Sequence, residues 1–204
     1  ALAAAAGTVY RNHFVPLDGQ TGQSATKQLD MLADIGRALG NTGQLWRMQN
    51  GYCFPTRTGL QAASDPTLGA LLRIGVHHDV EVTLAGGGHR VTQVYGSALP
   101  IAYADLPTSL FEPFARTVLN ASYEATLRSA VQLGIDRVYL TLLGGGVFGN
   151  PLPWILDAIE RACTTLASSG LQVAIVSHRA ANPQVQARVE QIAARIHAGY
   201  ESSR

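Results

Sequence analysis

Residues 138–163 read VYLTLLGGGVFGNPLPWILDAIERAC, and no other stretch of the chain restricts its fold as much. A near-continuous apolar run, DRVYLTLL, precedes three glycines and has the composition of a strand buried on both faces of a parallel sheet. After the glycines, Ile155, Ile159, Ala162 and Leu166 fall on one stripe, which predicts a helix from Pro151 to Ser169 stopped by Gly170. Asn150 is a preferred cap residue, and Pro151 suits a first helical position. A strand that passes through a glycine loop straight into a helix is the repeating unit of parallel α/β sheets.

The flanking segments extend this pattern. Ser109 to Gly134 predicts a long helix, with Ser109 and Glu112 spaced as a capping box and Gly134 as its stop. Its Phe111, Phe114, Val118, Ala121 and Ala125 form one face, and Leu119, Tyr123 and Leu127 load the opposite side, so more than one face is covered. LQVAIVSH predicts a second buried strand. NPQVQARVEQIAARIHA then predicts a last helix, with Asn182 as cap, Pro183 behind it and Val185, Val189, Ile192 and Ile196 inward. From residue 109 the order is α-β-α-β-α, an α/β layered fold with a largely parallel sheet.

The first half is less regular. Residues 8–23 carry few periodic signals and read as an extended lead-in, so the expectation is a lead-in over 1–23 and a single domain over 24–204. Leu29, Leu32, Ile35 and Leu39 recur at helical spacing from Ser24 to Leu39, before the GNTG run stops that helix. LWRMQNGYCFP predicts a strand entering a turn at Asn50-Gly51, with Pro55 closing it. Ser64 or Asp65 caps a short helix with Pro66 at its first position. Val80–Leu84 and Val91–Tyr95 flank Gly86, Gly87 and Gly88 as a β-hairpin, although the same glycines are also a candidate second ligand loop.

The 204 residues carry a net charge of +1, which argues against a general nucleic-acid binder. The six histidines show no metal-ligand spacing, and two cysteines, Cys53 and Cys163, fit reduced cytosolic usage better than a disulfide framework. ALAAAAG lacks a basic n-region and reads as a frayed terminus. No apolar run approaches a membrane span, and the expectation is a soluble, cytoplasmic protein with no membrane partner.

The glycine loop is the chemical signal. Gly144, Gly145 and Gly146 remove three side chains where a strand ends, so backbone N–H groups can approach an anion. The following helix adds the positive end of its dipole, and together they make a diphosphate cradle. A Walker A loop needs Gly-Lys-Ser/Thr, but the only lysine is Lys27. A dinucleotide fingerprint matches GGGVFG through Gly144, Gly146 and Gly149, but it belongs early in a βαβ unit, and no acid follows at the end of LQVAIVSH. An NAD(P)-binding oxidoreductase therefore stays as an alternative.

VYLTLLGGGVFGNPLPWILDAIERA followed by LQVAIVSH resembles the second ligand loop of the macrodomain family. There a strand, a GxGxFG-like loop over the ADP-ribose diphosphate, a helix and a final strand follow in that order. The preceding FARTVLNASYEATLRSAVQLG is similar to the family's long helix, and GGGVFGNP is closer still to the loop of microbial poly(ADP-ribose) glycohydrolases. The likeness covers residues 91–178. Two departures stand out: the early NAAN strand is absent, and GGGHRVTQV supplies Gly86 to Gly88 and Gln93 but not the glycohydrolase acids. The chain also resembles the atypical macrodomains of bacterial effectors that remove ADP-ribose from arginine, ubiquitin arginine included.

The resemblance implies a macrodomain-like three-layer α/β/α fold with ADP-ribose as ligand or product, an ADP-ribosylated protein as partner and no required cofactor or metal. It implies that Gly144, Gly145, Gly146, Val147, Phe148, Gly149 and Asn150 line the diphosphate and distal ribose. Phe148 then covers a ribose or the adenine, or else is a core aromatic under the loop. Substitutes for the first loop are sought in MQNGYCFP and AASDP. Gln49, Asn50 and Gly51 are candidate ribose or adenine contacts, with an ordinary Asn-Gly turn as the competing reading, and Ser177 is a candidate adenine contact.

Hydrolysis at ribose C1″ passes through an oxocarbenium-like state and needs a carboxylate to stabilise that charge or orient water. Asp65 is the first candidate, against a role as helix cap only. Glu124 is the second, against an ion pair with Arg128 one helical turn on. Asp105 and Asp157 follow. With no carboxylate fixed by a motif, a non-catalytic ADP-ribose reader is the competing function.

Overall fold

The structure is a computed structural model that describes residues 9–49, 51–82, 86–177 and 180–201. It mixes helices with short strands. The strands are β1 (Pro16–Leu17), β2 (Gln20–Thr21), β3 (Trp46–Gln49), β4 (Tyr52–Pro55), β5 (Gly75–Glu81), β6 (Arg90–Tyr95), β7 (Arg137–Leu140) and β8 (Gln172–Ile175). The α-helices are α1 (Ala33–Ala38), α2 (Arg57–Ala62), α3 (Thr108–Gln132), α4 (Leu152–Thr165) and α5 (Pro183–Glu201). Short π- or 3₁₀-helical segments connect them at Tyr10–Phe14, Pro66–Leu71, Ile101–Tyr103 and Ala167–Ser169.

The described strands do not form the continuous, largely parallel sheet expected from the sequence. They make four two-stranded ladders, of which β1–β2, β3–β4 and β5–β6 are antiparallel and β7–β8 is parallel. In the first three, each strand bonds its sequence neighbour, and among the described residues no third strand joins the pair. The expected order does hold around the glycine loop: α3 leads to β7, α4 crosses over, and β8 returns parallel to β7. β7 is not buried on both faces, because Val138 and Leu140 turn inward while Arg137 and Tyr139 are exposed.

One apolar cluster joins these parts. α3 contributes Phe111, Phe114, Val118, Leu119 and Leu127, all essentially without exposure, and it packs against Ile155 and Ile159 of α4. On its other side Trp46 of β3 meets Phe114 with ring centroids 5.7 Å apart. Burial on both sides agrees with the two apolar faces read from the sequence. Gly134, at φ +67°, ends the helix, and the Ile135 amide turns back to the Ala130 carbonyl.

Three local expectations change. The helix from Ser24 shrinks to Ala33–Ala38, because side chains take the backbone amides that a helix needs. Ser24 Oγ accepts from Lys27 N at 3.1 Å, Gln23 Oε1 from Leu29 N at 2.9 Å and Asp30 Oδ1 from Leu32 N at 2.8 Å. The capping box at Ser109 does not form: α3 starts at Thr108 behind Pro107, and Glu112 binds Arg116 Nε at 2.8 Å. The lead-in is only partly extended, since its described residues include a π-helical turn and the β1–β2 hairpin around Asp18-Gly19. The hairpin around the second glycine run does form, as β5–β6, while Leu84 lies outside the described residues.

Candidate functional site

The glycine loop is built around three anchors. At its start, Tyr123 of α3 donates its hydroxyl to the Thr141 carbonyl and accepts from the Leu143 amide, both at 2.8 Å. Burial pushes that phenol up to about 12. At its end, Asn150 is 3% exposed and folds back on the loop. Its backbone amide donates to the Gly144 carbonyl at 3.0 Å, and Nδ2 donates to Leu99 O at 2.8 Å and Gly144 O at 3.3 Å. In the middle, the Ala102 amide donates to Phe148 O at 3.0 Å. Gly144 must be glycine here, since at φ +74° a Cβ would overlap Ala98 Cβ and sit 2.6 Å from Asn150 Nδ2.

Asn150 therefore does not cap α4. The N-cap is Pro151, without a side-chain cap bond, and helical positions start at Leu152. Pro151 and Pro153 have no N–H, while Trp154 and Ile155 donate to Pro151 O, so the helix end offers little beyond the Leu152 amide. The expected row of free donors at the helix mouth is absent among the described residues. The loop supplies donors instead. Gly145, Gly149 and Asn150 use their amides within the loop, on Leu142 O, Gly146 O and Gly144 O. The successive amides of Gly146, Val147 and Phe148 have no acceptor among the described residues. Val147 is 74% exposed, and a Cβ on Gly146 would meet nothing within 4 Å. Three neighbouring amides without partners on an open turn are donors of the kind that anion-binding concavities are built from.

An aromatic group stands beside these donors. The Phe148 ring meets Tyr52 at 5.6 Å and Tyr103 at 5.7 Å, and the two tyrosines meet each other at 5.7 Å, all edge to face. Phe148 is half-buried, packed on the core on one side and on the tyrosines on the other. Through Tyr52 the β3–β4 turn of Gln49 and Gly51 is joined to the loop, which the sequence singled out as two separate motifs. Gly51 N donates to Gln28 Oε1. Asn50 lies outside the described residues, and Gln49 is exposed.

Behind the loop, the segment Gly96–Leu99 separates Gly144 from a 160 Å³ cavity that Gly51, Cys53, Ser97 and Ala98 help to line. Leu29, Met31 and Leu32 form part of its wall. Asp30 sits in that segment, and burial holds its carboxyl above the usual carboxylate range, against the Leu32 amide that lowers it. Burial, with a smaller contribution from Asp30, also pushes the Cys53 thiol well up, so it is neutral. Nothing in the sequence marks Asp30 or Tyr123: one sits in an apparent helix and the other on an apolar helix face.

The two carboxylates singled out from the sequence are engaged elsewhere. Asp65 caps the Pro66–Leu71 turn, its Oδ1 accepting from Thr67 N at 2.8 Å and Thr67 Oγ1 at 2.7 Å, and those bonds lower its pKa. Glu124 binds Arg128 through Nε at 2.9 Å and Nη2 at 2.7 Å. Asp157 joins Arg116 and Arg188 in an ion-pair network, and Asp105 is exposed. Ser177 is half-buried just beyond β8. Among the described residues no group of three His, Cys, Asp or Glu is placed to hold a metal ion, and no helix is long and apolar enough to cross a membrane. Comparison with models of known families, with curated proteins and with solved structures gives no match.

Proposed function

We propose that the chain is a divergent macrodomain that binds ADP-ribose and hydrolyses it from a modified protein side chain, with arginine, including that of ubiquitin, as the acceptor. The observation that carries this reading is the run of unpartnered amides at Gly146, Val147 and Phe148, directly after a strand and beside an aromatic cluster. A diphosphate accepts from three such donors, and a ribose or adenine packs on the Phe148–Tyr52 side. In fold terms the proposal is a three-layer α/β/α arrangement, supported by the order α3, β7, loop, α4, β8, α5 and by the parallel β7–β8 pairing.

Asp30 is the acid that this proposal places in catalysis, ahead of Asp65 and Glu124. Those two are held as a cap and an ion pair, whereas the Asp30 carboxylate bonds only the Leu32 amide among the described residues. A carboxyl partly withdrawn from water is a stronger base when ionised, able to take a proton from the water that bonds C1″ as the C1″–N bond breaks, the departing neutral guanidine then being protonated in turn. Calorimetry with ADP-ribose, NAD and AMP tests the binding step. ADP-ribose binding without preference for NAD is the expected result, and NAD bound more tightly with hydride transfer would replace this reading by the oxidoreductase one. Release of ADP-ribose from arginine-modified protein then separates an eraser from a reader with the same pocket and no chemistry.

A further inference from the structure

β6 and β7 line one groove without pairing with each other. Among the described strands β6 pairs with β5 and β7 with β8, and residues of both β6 and β7 line a 580 Å³ groove. Successive residues of both strands line it, Val91 with Thr92 and Val138 with Tyr139, so each strand turns its edge as well as a face toward the groove. At their ends Gly96 and Leu143 approach, since a Cβ on Gly96 would lie 3.8 Å from Leu143 Cδ2.

The hydrogen bonds identify the free edge. Asp136 O accepts from Gln172 N at 2.7 Å and Leu140 O from Val176 N at 2.8 Å, so the even-numbered residues of β7 serve β8. By the alternation of a strand, Arg137 and Tyr139 aim their N–H and C=O groups at the groove. In a sheet a residue occupies a box of about 3.3 Å by about 4.8 Å by about 10 Å, roughly 160 Å³. The groove holds about four such residues by that measure, which is the length of β7.

Two polar features give the occupant its chemistry. Ser122, on the α3 floor, is 2% exposed, and its Oγ has no partner among the described residues. Of the two arginines lining the groove, Arg90 is paired with Asp79 at 2.9 Å, whereas among the described residues Arg137 meets only the Gln172 amide oxygen, at 3.3 and 3.4 Å. We propose that this groove takes an extended segment of another protein by strand addition, its backbone bonding Tyr139 and an acidic side chain bonding Arg137. A polar side chain on the floor side of that segment meets Ser122 Oγ. This recognition is separate from the ADP-ribose reading, since it uses the far side of β7 from β8 and none of the loop amides.

A positional-scanning library of N-acetylated hexapeptides tests it on the intact chain. Bound peptides are expected to carry an acid at one end position and strand-forming residues between. Arg137→Gln should weaken the selected peptide by about tenfold or more. Tyr139→Pro should abolish binding, since it deletes the groove-facing N–H and leaves the β8 bonds, whereas Tyr139→Thr should bind like the parent. Three results would overturn the proposal: no library position selects a residue, Arg137→Gln binds the acidic peptide unchanged, or the Tyr139 amide is already protected from hydrogen exchange in the free protein. The last would mean that part of this chain or a second copy fills the groove.

Discussion

Asn150 grips Gly144 twice, its backbone amide and its side-chain Nδ2 both donating to the one Gly144 carbonyl, at 3.0 and 3.3 Å. The same Nδ2 reaches Leu99 O, which fixes the amide orientation: two carbonyls can face nitrogen but not oxygen. Residues 144 and 150 are thereby the two feet of the loop, and the amides of 146–148 stand between them. Gly144→Ala pushes a Cβ into Ala98 and Asn150 at a positive φ, so about 2–4 kcal/mol of stability should be lost from overpacking and strain. Asn150→Ala should cost about 0.5–1.5 kcal/mol by removing the Nδ2 bonds to Leu99 O and Gly144 O, which keep only the Ile101 and Asn150 backbone amides. Urea unfolding reads both, and a loss under half a kcal/mol in Gly144→Ala would mean that the loop has another conformation.

Gly146 offers the opposite case. Its Cβ direction is empty, and it is not among the positive-φ glycines, so Gly146→Ala should change stability by no more than about 0.5 kcal/mol. Gly146→Glu sets a carboxylate at the mouth of the same amides. It should fold like the parent and lose ADP-ribose affinity by about 100-fold or more in calorimetry, through like-charge repulsion at the diphosphate position. A folded Gly146→Glu protein that binds ADP-ribose normally removes the loop from the site.

Tyr123 links the loop to pH. Its phenol ionises at about 10 in the unfolded chain and is pushed up to about 12 in the folded one, so the unfolded state loses its proton first. Its contribution to stability is whole below pH 10 and falls as pH rises from 10 toward 12. The buried Cys53 thiol acts in the same direction from about pH 9. Tyr123→Phe should lower stability at pH 7 by about 0.5–1.5 kcal/mol, because Leu143 N and Thr141 O lose the phenol and keep only their bond to each other, at 3.0 Å. It should also flatten the decline in unfolding free energy between pH 10 and 12, and an unchanged alkaline slope would count against a buried phenol.

The strand–loop–helix unit was legible because apolar pattern, glycine and proline all act locally, and β7, α4 and β8 lie where those signals put them. Asn150 shows the limit: Asn before Pro has the chemistry of a helix cap, yet the distant Leu99 and nearby Gly144 carbonyls outbid the helix end for its side chain. The Ser24–Leu39 periodicity failed for a similar reason, as Ser24, Gln23 and Asp30 bond backbone amides before a helix can use them. That Tyr52 would reach Phe148 depends on how a hairpin docks nearly 100 residues earlier in the chain, which no spacing records. Asp65 and Glu124 had correct local chemistry, as a cap and an ion pair. Burial at Asp30 arises only when the segments around Cys53 close over it.

The C-terminal helix α5 is tied to α4 by charge. Arg188 reaches Asp157 at 2.9 Å and Glu160 at 2.6 Å, and Arg195 reaches Glu160 at 2.5 Å, while a 570 Å³ apolar cavity remains between α5, α4 and β8. These pairs are partly exposed, so each contributes about 0.2–1 kcal/mol and is screened over about 3 Å in 1 M salt. Amides of α5 should therefore exchange faster in 1 M NaCl and in Glu160→Gln, with α3 unchanged. Salt-independent exchange in α5 would place its attachment in apolar contact instead.

The proposed hydrolysis separates the carboxylates most sharply. Burial raises the Asp30 pKa, so the unfolded chain ionises first, and stability falls as pH rises from the ordinary aspartate value through the folded one. Asp30→Asn should then be more stable than the parent at pH 7, bind ADP-ribose with similar affinity and lose hydrolysis of arginine-linked ADP-ribose by about 100-fold or more. Asp65→Ala deletes a cap and should cost about 0.5–2 kcal/mol of stability with hydrolysis intact. Glu124→Ala breaks a helix-surface pair and should cost about 0.5 kcal/mol or less, again with hydrolysis intact. Stability, ligand affinity and turnover measured on the three variants give different patterns for a base, a cap and an ion pair. Full turnover in Asp30→Asn, with loss in Asp65→Ala, would return the catalytic role to the residue first singled out from the sequence.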